Sequence, residues 1–135
     1  MFDTKIAIVL RDDLEVWQKL NVTAFLTTGL VAQAPGIIGE PYVDAAGNAY
    51  NPMAVQPMMV LAADGPTLAK VQRRALDRGV RCSAYIEEMF ATGHDAANRA
   101  VFAEYGPDDA RLVGLALRAD RKVVDKITKG ARMHP

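Results

Sequence analysis

At 135 residues the chain has the size of one domain, enough to bury roughly two-thirds of the surface its unfolded form exposes. Sixteen basic and sixteen acidic side chains cancel, which excludes a global field that draws in nucleic acid or anionic membrane. The one cysteine, Cys82, excludes an intrachain disulfide and fits a reducing compartment.

The N-terminal Met-Phe-Asp-Thr-Lys runs straight into a strand-like segment, without the basic start and apolar stretch of a signal peptide. No apolar run approaches the roughly 20 residues needed to cross a bilayer. The expectation is one cytoplasmic domain, residues 1–135, with no membrane partner.

Ile6 to Leu10 is continuously apolar and β-branched at three of five positions, the pattern of a strand covered on both faces. Asp12 or Asp13 is placed to cap the helix that follows, from Leu14 to about Ala34. Trp17, Leu20, Ala24 and Val31 share one side of that helix, with Val22 and Leu26 nearly opposite and Lys19, Thr23 and Thr27 in a polar line between. Two apolar faces predict a helix packed on the sheet inside and on something else outside.

Pro35-Gly36 stops the helix, and residues 36–57 read as loop, with Tyr42 to Asp44 and Ala49-Tyr50 able to form a small edge hairpin. Met58 to Ala62 is a second buried strand. Asp64-Gly65-Pro66 opens a helix that Gly79 closes. Val80 to Glu87 is a third strand, and Thr92 to Asp95 has the spacing of a cap for a helix running to about Tyr105. Leu112 to Leu117 is a fourth strand, and Asp120 can cap a last helix ending near Gly130. Strands alternating with helices predict an α/β fold, a mostly parallel four-stranded sheet with helices on both faces.

Open α/β sheets bind ligands outside the carboxyl ends of their strands. Arg11, Asp12 and Asp13 follow the first strand, Asp64 the second, and Glu87 and Glu88 the third, with Thr92 and His94 close behind. Capping alone explains the aspartates. Adjacent carboxylates at the end of a buried strand repel one another, so either Glu87 or Glu88 is a candidate acid or base. His94-Asp95 has no companion at zinc spacing, and no glycine-rich phosphate loop appears, so neither metal nor cofactor is expected. Cys82 lies mid-strand among apolar neighbours and reads as an inert core thiol. Lys70, Arg73, Arg74 and Arg78 stack along one side of the second helix, followed by Arg81. The run reads as a solvated face, with phosphate-backbone binding as its functional alternative.

The stretch Lys5-Ile6-Ala7-Ile8-Val9-Leu10-Arg11-x-Asp13-Leu14 resembles the start of the archaeal and eukaryotic (type 2) peptidyl-tRNA hydrolases. Trp17-Gln18-Lys19-Leu20-Asn21-Val22-Thr23-Ala24-Phe25-Leu26 is similar to uncharacterised bacterial proteins of that superfamily. The resemblance implies a three-layer α/β/α sandwich with a mixed four-stranded sheet, paired as a homodimer through the outer face of the first helix. It also implies a site. Where the family has a Gly-Lys-Gly-Lys segment this chain has Trp17-Gln18-Lys19-Leu20, which keeps Lys19 displaced by about one residue. Where the family has an aspartate and a threonine after its third strand, Glu88 and Thr92 stand. Lys19 would steady negative charge, Glu88 act as base or orienter, and Thr92 position a water or the substrate. Glutamate for aspartate and the lost glycines depart from the family pattern. The functional expectation is therefore a small dimeric module binding a small-molecule ligand, or a hydrolase-like enzyme, at the rim near Lys19, Glu88 and Thr92. An RNA-binding remnant is the third reading.

Overall fold

The computed structural model describes residues 2–109 and 111–135. Its strands are β1 (Thr4–Arg11), β2 (Tyr42–Val43), β3 (Ala49–Tyr50), β4 (Met58–Ala63), β5 (Ser83–Ile86), β6 (Leu112–Asp120) and β7 (Arg132–Met133). The helices are α1 (Val16–Gln33), α2 (Gly65–Asp77), α3 (Asp95–Phe102) and α4 (Arg121–Ile127), with 3-10 turns at Pro35–Ile37 and Glu87–Ala91.

The main sheet has five strands in the order β5-β6-β1-β4-β7, not four. The fifth, β7, is two residues long, too short to carry an alternation signal. Gly130, at φ +99°, turns the chain back so that Met133 pairs with Leu61. Nor is the sheet mostly parallel: β1 and β4 form the one parallel pair, while β1–β6, β5–β6 and β4–β7 are antiparallel. The reason lies in the link between β5 and β6. Glu87 donates its backbone N–H to the Arg111 carbonyl at 2.9 Å, so β6 starts at the rim where β5 ends and must run back. The strands β1, β4 and β5 still share one direction, and their carboxyl ends still meet at one rim.

Alternation along β1 builds two cores, because successive side chains point to opposite faces. Ile6, Ile8 and Leu10 pack with Val22, Leu26 and Leu30 of α1. Ala7 and Val9 pack with Leu68, Val71 and Ala75 of α2 and with Val124 and Ile127 of α4. Helices thus cover both faces. Two glycines let α1 lie close. A Cβ at Gly114 in β6 would sit 2.6 Å from Val22 Cγ1 and 3.0 Å from Leu26 Cδ1, and one at Gly29 would overlap the Ser83 hydroxyl.

Several boundaries differ from the sequence reading. The cap of α1 is Glu15, not Asp12 or Asp13: its N–H donates to Gln18 Oε1 at 2.9 Å, while both aspartates are drawn off by arginines. The third strand is only Ser83–Ile86, and the fourth extends to Asp120. His94, not Thr92, caps α3, its Nδ1 accepting from the Ala97 N–H at 3.2 Å, and α3 stops at Phe102. Asp64 caps α2 as expected, accepting from the Thr67 N–H at 2.8 Å. Asp120 stands at the cap position of α4 without a side-chain capping bond, and that helix ends at Ile127, short of Gly130. The hairpin β2–β3 forms with Tyr42 opposite Tyr50, but as its own two-stranded sheet, off the main sheet's edge.

Candidate functional site

The shared rim gathers the charges that the strand ends supply, and arginines neutralise them in a chain. Arg11 pairs with Asp13 at 2.6 Å and with Glu87 at 3.1 Å; Arg111, leading into β6, lies 3.9 Å from Glu87 and 3.1 Å from Glu88. The repulsion expected between Glu87 and Glu88 is relieved by Arg111, which reaches both. Burial works against the Arg11 charge, but its hydrogen bonds to Asp13 and Glu87 outweigh that and hold its pKa above the ordinary value. The hydrogen bond to Glu88 likewise raises Arg111. The Glu88 side chain is 12% exposed, and its Oε2 is buried with no hydrogen-bond partner among the described residues. An unpaired buried carboxylate oxygen is costly and marks a position where a donor fits.

Beside this rim, between α1, β5, the 87–91 turn and α3, opens a cleft of about 880 Å³. This lies within the roughly 300–1,000 Å³ of small-molecule sites. Its geometry follows from helical spacing. Trp17, Asn21 and Phe25 recur every four residues along one flank of α1, and that flank overhangs the outer edge of β5. From the far side come Tyr85 of β5 and Phe90 of the turn. Trp17 meets Phe90 edge-on with ring centroids 5.8 Å apart; Tyr85 lies 5.2 Å from Phe90 and 6.2 Å from Phe25. Burial raises the Tyr85 phenol pKa.

Polar groups complete the lining: Ser83 of β5, whose hydroxyl lies against Gly29 of α1, and Thr92, His94 and Asn98 on the α3 side, where Phe102 adds a fifth ring and Asp95 and Arg99 are exposed. Asp95 and Arg99 neutralise each other at 2.8 Å across one helical turn. Because His94 Nδ1 accepts the cap bond, its proton sits on Nε2, which is left as a donor. Thr92 Oγ1 donates to the Met89 carbonyl at 2.8 Å and also meets the Asn98 side chain, tying the 87–91 turn to α3.

Of the residues singled out in the sequence, Thr92 lines this cleft and Glu88 stands in the rim chain one residue before Met89, another lining residue. Lys19 is half-buried on the flank of α1 that carries Thr23, whose hydroxyl bonds the Lys19 carbonyl at 2.7 Å; it is not among the residues lining the cleft. The aromatic wall was missed. The four-residue recurrence of Trp17, Asn21 and Phe25 was a legible signal for half of it; Tyr85 and Phe90 carried none, since only the fold brings them across from α1. Among the described residues no three histidine, cysteine or carboxylate side chains gather as a metal site.

Residues 4–135 match the family described as protein of unknown function, DUF2000, and the chain belongs to that family. It is also similar to the solved structure of a protein of unknown function from Agrobacterium tumefaciens, at 66% identity over the full length of both chains and a TM-score of 0.99. None of the curated proteins matches it.

Proposed function

We propose that this DUF2000 protein binds a small, neutral organic molecule with a flat ring, held in the cleft between α1 and α3. One observation carries the reading: five aromatic rings, those of Trp17, Phe25, Tyr85, Phe90 and Phe102, line a ligand-sized space whose polar groups are uncharged or, in Asp95 and Arg99, already paired. Rings stack or pack edge-on against such a wall, and a few convergent polar groups set orientation. A strongly charged ligand would find no opposite charge there to repay its desolvation.

Trp17 is the chain's single tryptophan, so its emission reports occupancy of the cleft directly. A screen of neutral heteroaromatic compounds should yield ligands that shift Trp17 emission and raise the melting temperature by mass action. Phe90→Ala should abolish both responses. Hits that bind Phe90→Ala as tightly as the wild type would place the ligand elsewhere and end this reading.

A hydrolase of the peptidyl-tRNA hydrolase kind is the second reading, favoured by one observation: the unpartnered Oε2 of Glu88 beside the cleft-lining Met89. There Glu88 would act as base and Thr92 as orienter, without Lys19, which does not line the cleft. Glu88→Gln should then abolish turnover of an ester substrate while the protein stays folded. The exposed outer face of α1, with Val16 71% and Leu20 68% open, is the surface we assign to a homodimer, and a single free thiol suits work in the cytoplasm. Of the basic run proposed for RNA, Arg73 is engaged by Asp108 and Arg74 by the carbonyls of Ile127 and Lys129, which favours a structural role.

A further inference from the structure

On the α2 side of β5 lies a second cavity, of about 320 Å³, and its chemistry differs from that of the aromatic cleft. Leu76 of α2, Cys82, Ile86, Leu115 of β6 and Phe102 of α3 give it largely apolar walls. One wall is cationic. Arg81 closes the basic run that begins on α2, and the other arginines of that run are engaged: Arg73 with Asp108 at 2.5 Å, Arg74 with two carbonyls, Arg78 with the Arg74 carbonyl. Arg81 makes no ion pair among the described residues, and it lines the cavity. Asp108, one residue beyond the lining Pro107, is already taken by Arg73. The cavity therefore combines apolar walls with one exposed arginine that forms no ion pair among the described residues.

We propose that this cavity binds a free monocarboxylate with a medium-length aliphatic chain, the chain filling the apolar space and the carboxylate meeting Arg81. The planar guanidinium matches a carboxylate's two oxygens, and each methylene moved from water into the cavity adds to affinity. Two single-copy reporters separate this site from the aromatic cleft: Cys82 lines this cavity and Trp17 lines the other.

The test is a calorimetric titration of hexanoate, octanoate and decanoate into the wild type and Arg81→Gln, with octanol as the uncharged match. Affinity should rise about fourfold per added methylene. Arg81→Gln should weaken octanoate about fivefold or more and leave octanol within about twofold. Its side chain is exposed, so the variant should melt like the wild type. Saturating octanoate should slow alkylation of Cys82 at mildly alkaline pH without changing Trp17 emission. Failure of decanoate to bind, equal losses for octanoate and octanol in Arg81→Gln, or an unprotected Cys82 at saturation would each overturn the proposal. A change in Trp17 emission instead would move the carboxylate to the other cleft and overturn it equally.

Discussion

The two faces of the main sheet are covered unequally, and that inequality decides where ligand-sized spaces open. Five strands span roughly 20–25 Å, whereas one helix with its side chains is about 10–12 Å across. On one face α2 and α4 together nearly match that width, leaving the cavity of about 320 Å³ at the β5 end. On the other, α1 alone lies over β6, β5 and β1. The remainder is finished by irregular chain: Ile37, Ile38 and Ala54 over the β4 side, and the 87–91 turn with α3 beyond β5. A face one helix short is closed by turns. Turns pack less completely than a helix, and the cleft of about 880 Å³ lies where they meet α1.

The comparison breaks most severely if α1 is lifted. Gly114→Val pushes two methyl groups toward Val22 and Leu26, which a Cβ alone would already crowd. Overpacking costs typically 1–3 kcal/mol, and this position should fall at the upper end, about 3 kcal/mol in urea unfolding. A shift under about 0.5 kcal/mol would mean that α1 is not seated as described. Next in size is Phe90→Ala, which removes the ring linking Trp17 and Tyr85. Full burial would make the loss about 3–5 kcal/mol; for a half-buried ring about 2 kcal/mol is expected, together with loss of ring-ligand binding.

How much of this was legible depends on which residues carried a local signal. Ile6 to Leu10 announced a strand buried on both sides because both of its faces are covered, and Asp64-Gly65-Pro66 announced a helix start because capping and proline chemistry are local. The outer face of α1 was legible in part: helical spacing separates exposed Leu20 from buried Leu26, but Val31, read on the outer side, packs against the inner core and Trp17 lines the cleft. The direction of β6 was not. It depends on the Glu87–Arg111 backbone bond, between residues whose neighbourhood in the chain gives no hint of it. The site divides the same way: the carboxyl-end charges were readable, but their partners were not. Arg111 reaches Glu88 across 23 positions and Arg132 reaches Asp12 across 120. Residues that look free in a sequence are often tied by others far away.

Cys82 offers a smaller, pH-dependent probe of the α2 side. Burial pushes its thiol up to about 11, while an unfolded chain titrates a cysteine near about 8.5. The unfolded state therefore loses its proton first. The thiol's contribution to stability is full below about pH 8.5 and is lost as pH rises toward 11. Melting temperatures of the wild type should fall more steeply than those of Cys82→Ala between about pH 8.5 and 10.5. Parallel curves would mean that water reaches the thiol and that the cavity wall is not apolar.

The smallest effect expected is at Asp64, and it tests whether the α2 face is held from its helix end. The hydrogen bonds with Thr67 keep this carboxyl below its ordinary pKa, so folding favours its charged form. Its contribution is present above the unfolded value near about 3.9 and fades as pH falls through the lower, folded value. Asp64→Ala should lower the melting temperature by a few degrees at neutral pH, because the Thr67 N–H loses its acceptor. Asp64→Asn keeps an acceptor but not the charge. It should lie between the other two at neutral pH and converge on the wild type in acid, where the aspartate is protonated as well. If Asp64→Asn instead stays below the wild type by a constant margin at every pH, the charge plays no part, and geometry alone seats the start of α2 against the sheet.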